Sequence, residues 1–163
     1  MLVALGCVFM IFGAVFEVVD LSMCALASLL VVFAYLELGS PYTWLVWLCT
    51  SLVAMVSFFA SPVWIEYFFV FGIYPILKAY IERLPRIAWV PVKLAYINGM
   101  AWVLIFLVQL ITGVSLLESK LLWMKVVSYV LINVAFIIYD AFITVMVRLY
   151  IDKFRRRFRK FLK

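Results

Sequence analysis

The sequence predicts an all-α membrane protein, a bundle of six transmembrane helices. Three observations carry that prediction. Hydrophobic residues fill 70% of the 163 positions, where soluble domains hold roughly half. These residues fall in long runs separated by short breakers. Of the fourteen Lys and Arg, four lie in Lys78–Lys93 and eight in Arg148–Lys163, twelve together, and such clusters near span ends stay cytoplasmic.

A helical span takes about 20 apolar residues, and irregular backbone cannot face lipid. Six runs meet that need. The first is Leu2–Val19, closed by Glu17 and Asp20. A signal peptide is the other reading of Met1–Val19. No Lys or Arg precedes its apolar stretch and no small-x-small site follows it, so a mature span is expected. The second run is Leu21–Leu38, ended by Gly39-Ser40-Pro41. The third is Tyr42–Ala60, ended by Ser61-Pro62. The fourth is Val63–Leu77, which carries Gly72 and Pro75 and should kink there. The fifth is Leu94–Gly113 and the sixth Leu121–Tyr150. The short turns make sequential helices antiparallel neighbours. Lys78–Lys93, with Pro85 and Pro91, is expected to be the one real loop.

Residues 1–150 thus form the bundle and 151–163 a basic tail. Six spans with a cytoplasmic tail place both termini inside, in a bacterial cytoplasmic membrane. Glu17, Asp20, Glu66 and Glu118 then lie on the outer side. In the tail, Phe154, Phe158, Phe161 and Leu162 make one apolar helical face. Arg155, Arg156, Arg159, Lys160 and Lys163 cover much of the rest, as in an amphipathic helix on an anionic inner leaflet. The net charge of +6 is read as this lipid-surface charge, and nucleic acid is not an expected partner.

Polar side chains inside a membrane usually face a bundle interior or cavity. On the fourth run Glu66, Tyr67, Tyr74 and Lys78 share one helical face. On the fifth, Asn98 and Gln109 align. On the sixth, Asn133, Asp140 and Thr144 do, with Lys125 and Tyr129. Glu66, Tyr67, Tyr74, Asn98, Gln109 and Asn133 are therefore candidate ligand contacts, and interhelical glue is their other reading. Asp140 needs a counter-charge, from Lys78, from Arg148 or from another base of Lys78–Lys93. Cys24, Ser28, Tyr35 and Gly39 make a small-residue seam on the second run, for helix packing or for a partner.

Catalytic and cofactor chemistry is not expected. There is no histidine, so the usual base near neutral pH is missing. No phosphate-loop, dinucleotide, zincin or hydrolase motif occurs. Cys7, Cys24 and Cys49 are too far apart in sequence for a zinc motif and read as packing residues.

Three stretches carry a resemblance: Asp20-Leu21-Ser22 with Ala25–Leu29; Phe71-Gly72-Ile73-Tyr74-Pro75-Ile76-Leu77-Lys78 running into Ile81–Arg86; and Tyr139-Asp140 ahead of the basic tail. With them the chain resembles a group of small uncharacterised integral membrane proteins of Gram-positive, clostridial-type bacteria. In size and six-helix layout it is also similar to S components of energy-coupling-factor vitamin transporters. That likeness implies a bound small molecule and a partner subunit docked through small residues spaced four apart, for which Cys24 and Ser28 are the nearest match. Two readings follow. One is a small-molecule-binding or transport-associated subunit. The other is a non-catalytic assembly factor for cell-envelope complexes.

Overall fold

A computed structural model describes residues 1–59, 61–112 and 122–155. Among them every regular element is helical. In chain order these are α1 (Leu2–Val15), α2 (Asp20–Glu37), α3 (Ser40–Ser57), α4 (Val63–Ile81), α5 (Arg86–Thr112) and α6 (Leu122–Leu149). A π-helical turn, Tyr150–Arg155, continues α6. The tail residues Arg156, Arg159, Lys160 and Lys163 lie outside the described residues, as does the side chain of Arg155.

The helices α2 to α6 are long and apolar enough to cross a membrane. The first run departs from expectation. α1 stops at Val15 after 14 residues, about 21 Å at 1.5 Å per residue, against a hydrocarbon core of about 30 Å. Phe16 leaves the helical region at φ −111°, ψ 81° and a 3₁₀ turn, Glu17–Val19, follows. Asp20 then opens α2, its Oδ1 accepting from the Leu21 N–H at 2.5 Å. The expected Val19 boundary thus merged a short helix with a turn. Gly6, Met10 and Gly13 are the buried residues of α1, at i, i+4 and i+7 on one face. A Cβ at Gly6 would sit 3.0 Å from the Thr50 side chain, and one at Gly13 would sit 3.2 Å from that of Met23. These two glycines let α1 approach α3 and α2 closely.

At the α2–α3 turn, Gly39 has φ +89°, which L side chains rarely adopt. Its N–H bonds back to Ala34 O at 3.2 Å, and Pro41 sits in the first turn of α3, where no N–H is needed. Two tryptophans lock the later turns from five residues on. Trp64 Nε1 donates to Phe59 O at 3.0 Å, and Trp89 Nε1 to Leu84 O at 2.8 Å.

Lys78–Lys93 is not a loop. α4 continues to Ile81 and α5 begins at Arg86, so residues 82–85 alone connect them. Pro85 stands just before α5 and is compatible with its start. Pro91 lies inside α5 and forgoes one backbone bond there. The expected loop ended the fourth run at Leu77 and began the fifth at Leu94, whereas Lys78 and Lys93 both project from helices.

α2 lies at the centre, with Cys24, Ala27, Ser28, Val31, Val32 and Ala34 buried. One core packs Met10, Val31, Trp47, Val63 and Tyr67 from α1 to α4. The other packs Val32, Val70, Tyr74, Ile97, Phe136 and Ile143 from α2, α4, α5 and α6. In a regular helix, residues 63, 67, 70 and 74 would share one face. Here they divide between the two cores, because residues Tyr67–Phe71 form a π-helical segment and Gly72-Ile73 a turn. The discontinuity interrupts the regular helical periodicity of α4. The expected stripe of Glu66, Tyr67, Tyr74 and Lys78 is split by it.

Candidate functional site

The broken stretch of α4 exposes backbone carbonyls that must find donors. The Gly72 N–H reaches back five residues to Tyr67 O at 2.6 Å, bypassing Phe68. Pro75 has no N–H to offer Phe71. Three neighbouring helices fill the gap. Trp47 Nε1 of α3 donates to Phe68 O at 3.2 Å, the Tyr96 hydroxyl of α5 to Phe69 O, and the Tyr139 hydroxyl of α6 to Phe71 O at 3.0 Å. Tyr139 shares its proton with Ser28 Oγ of α2 at 2.8 Å, and Ser28 in turn donates to Ala25 O at 2.6 Å. A π-type interruption of this kind often marks a functional site.

One turn further along α4 sits a charged cluster. Lys78, 5% exposed, pairs through Nζ with Asp140 Oδ1 and donates to Asp140 O at 2.8 Å and Thr144 Oγ1 at 2.6 Å. Lys93 of α5 reaches Asp140 Oδ2 at 2.9 Å and Glu82 Oε1 at 3.3 Å. Glu82 also lies 3.6 Å from Lys78 Nζ. The Tyr74 hydroxyl donates to Asp140 Oδ1 at 2.6 Å. Two ammonium groups face two carboxylates, so the cluster is neutral and ties α4, α5 and α6 together. The counter-charges of Asp140 are Lys78 and Lys93. Arg148 is exposed and has no part in this cluster.

Between α2, α4, α5 and α6 lies a cleft of about 720 Å³, within the ~300–1,000 Å³ usual for small-molecule sites. Its walls are apolar: Ala25, Val70, Phe71, Ala101, Phe136 and Phe142 are typical. Among the described residues Glu66 is the charged side chain that lines it. The Glu66 Oε2 is shut off from solvent and has no hydrogen-bond partner among the described residues. The Tyr139 ring closes part of the wall and contacts Tyr74 at 5.7 Å between centroids, linking cleft and charged cluster through packed rings.

Of the six expected ligand contacts, Glu66 alone lines this cleft. Tyr67 and Tyr74 are fully buried, each at 0% exposure, Tyr67 in the first core and Tyr74 against Asp140. Asn98 and Asn133 bind one another, Nδ2 to Oδ1, at 3.3 and 3.2 Å; they are glue between α5 and α6. Gln109 is half-buried on α5, outside the cleft walls. In the seam, Cys24 and Ser28 are buried inside the chain, the Cys24 thiol facing Val63 O at 3.7 Å. Tyr35 accepts a hydrogen bond from Arg83 at 3.3 Å, and Gly39 makes the turn. The seam packs the bundle.

The sequence reading missed the aromatic walls and Glu82. The i,i+4 spacing of Lys78 and Glu82 was the available signal for the latter. The walls had none, because apolar residues that face a cleft read the same as those that face lipid. Comparison with family models, curated proteins and solved structures found no match. The functional reading therefore rests on this geometry.

Proposed function

We propose that the protein is a multi-pass subunit of the bacterial cytoplasmic membrane that binds a small molecule in the cleft between α2, α4, α5 and α6. Glu66 is the anionic anchor for a cationic group on that molecule. The observation that carries this reading is the Glu66 carboxylate, which has one oxygen buried and unpartnered beside a cavity of ligand size. A buried carboxylate without a partner is costly, and a bound cation removes that cost. The role is that of a binding or transport-associated subunit, without a catalytic step, in the manner of an S component. Glu66→Gln keeps the shape and removes the charge. A small molecule that stays with the protein through mild extraction from its own membrane should be lost in this variant.

The assembly-factor reading has less support. It takes the seam on α2 and the basic tail as partner surfaces, and Cys24 and Ser28 are consumed by packing within the chain, which removes them equally as docking residues of an S component.

The orientation belongs to the same proposal: α1 serves as a short sixth span, and both termini are cytoplasmic. Two contacts support it by drawing the basic clusters to one end of the bundle. Arg83 meets Tyr35 at 3.3 Å, and Tyr150 meets Glu37 Oε1 at 2.8 Å. Reporters at Met1, near Arg83 and at Lys163 should read cytoplasmic and one near Glu118 external. An external reading at Met1 would remove α1 from the set of spans.

A further inference from the structure

We propose that the occupant of the cleft is a membrane-dissolved amphiphile, an apolar body carrying one amine or quaternary ammonium group, which enters sideways from the lipid. This rests on the binding role proposed above and names its ligand class. Three observations lead to it.

The first is the path of entry. Several cleft residues are themselves exposed on the outside of the bundle: Leu21 at 53%, Ile132 at 39% and Ile138 at 64%. The apolar wall of the cleft therefore continues to exposed apolar residues of α6. A ligand dissolved in the membrane reaches Glu66 along an apolar route.

The second is the shortage of polar groups for a water-soluble ligand. Apart from Glu66, the lining offers the hydroxyls of Ser22 and Tyr139. The Tyr139 hydroxyl is already engaged by Ser28 and Phe71. A hydroxyl-rich molecule would leave its own groups unpaired against Phe71, Phe136 and Phe142. An apolar body loses nothing there.

The third is charge. Lys78 and Lys93 are committed to Asp140 and Glu82, so neither serves Glu66. Among the described residues no ion pair engages Glu66, and its carboxylate is a complement for one positive group. One ammonium on an apolar body matches one carboxylate in an apolar cleft.

The test uses the whole protein in phosphatidylcholine nanodiscs, with unfolding temperature as the readout and three probes: dodecylamine, dodecanol and butylamine. Dodecylamine should stabilise the wild type and bind about tenfold more tightly than dodecanol, the factor expected for one charge-assisted hydrogen bond. Butylamine should have little effect. In Glu66→Gln the amine should fall to the level of the alcohol. Equal effects of amine and alcohol on the wild type would overturn the proposal, as would an amine preference that survives in Glu66→Gln. Stabilisation by butylamine but not dodecylamine would also overturn it, while leaving the binding role intact. If no probe acts and no small molecule is retained from native membranes, the binding role fails with it.

Discussion

Asp140→Ala is expected to destabilise the protein by about 3–5 kcal/mol, the range for removing one partner from a buried ion pair. Lys78, 5% exposed, would be left with Glu82 at 3.6 Å in place of its direct pair with Asp140, and the Tyr74 hydroxyl would lose its acceptor. Lys93 would keep Glu82, which bounds the loss. Denaturant unfolding in a mild detergent measures it. Because the penalty is a buried charge that has lost its direct partner, Lys78→Met combined with Asp140→Leu should recover much of the stability. Arg148→Ala should stay within about 0.5 kcal/mol of wild type, as surface changes do. If the double variant is no better than Asp140→Ala, the cluster is not held by charge pairing.

Gly72→Ala should cost about 2–6 kcal/mol, the sum of overpacking and a buried carbonyl left unpaired. A Cβ there would lie 2.5 Å from Trp47 Cδ1 and 2.8 Å from Tyr67 O. The carbonyl is fixed in the backbone, so the indole must move. Its bond to Phe68 O would break, and the discontinuity of α4 would lose one of its three outside donors. Gly99→Ala is the control. Nothing lies within 4 Å of a Cβ at Gly99, so that change should be neutral or stabilising by about 0.5–1 kcal/mol. The same unfolding experiment, with tryptophan fluorescence to report on Trp47, distinguishes the two glycines.

Much of the architecture was legible in the sequence, because membrane insertion leaves few ways to satisfy a backbone. Apolar runs and breakers located α2, α3 and α6 closely. Prolines misled at the charged segment: Pro85 and Pro91 look like loop residues, whereas Pro85 stands just before the start of α5 and Pro91 lies inside it. Helical periodicity assumes an unbroken 3.6-residue turn. It therefore put Tyr67 and Tyr74 on one face, and the π-helical segment between them separated the two. A π segment adds a residue without a distinct composition, and Gly72 and Pro75 show that a helix is disturbed but not by how much it rotates. Asp140 announced its need for a counter-charge by being a carboxylate within an apolar run. The choice of Lys78 and Lys93 over Arg148 depended on how α4, α5 and α6 meet, which is a matter of tertiary packing. Glu66 was visible as an acid near a span end, but its cleft was not, since lipid-facing and cleft-facing apolar residues have the same composition.

Native mass spectrometry of the protein released from mild detergent tests most directly whether Glu66 and the cleft hold a ligand. Wild type extracted from its own membranes should carry a small molecule with a cationic group in defined stoichiometry. Glu66→Gln should lose it, and Ala101→Leu, which narrows the cleft, should weaken it, both variants still unfolding cooperatively. A ligand held equally by all three proteins, or no ligand in any of them, would contradict a binding site built on Glu66 and this cleft.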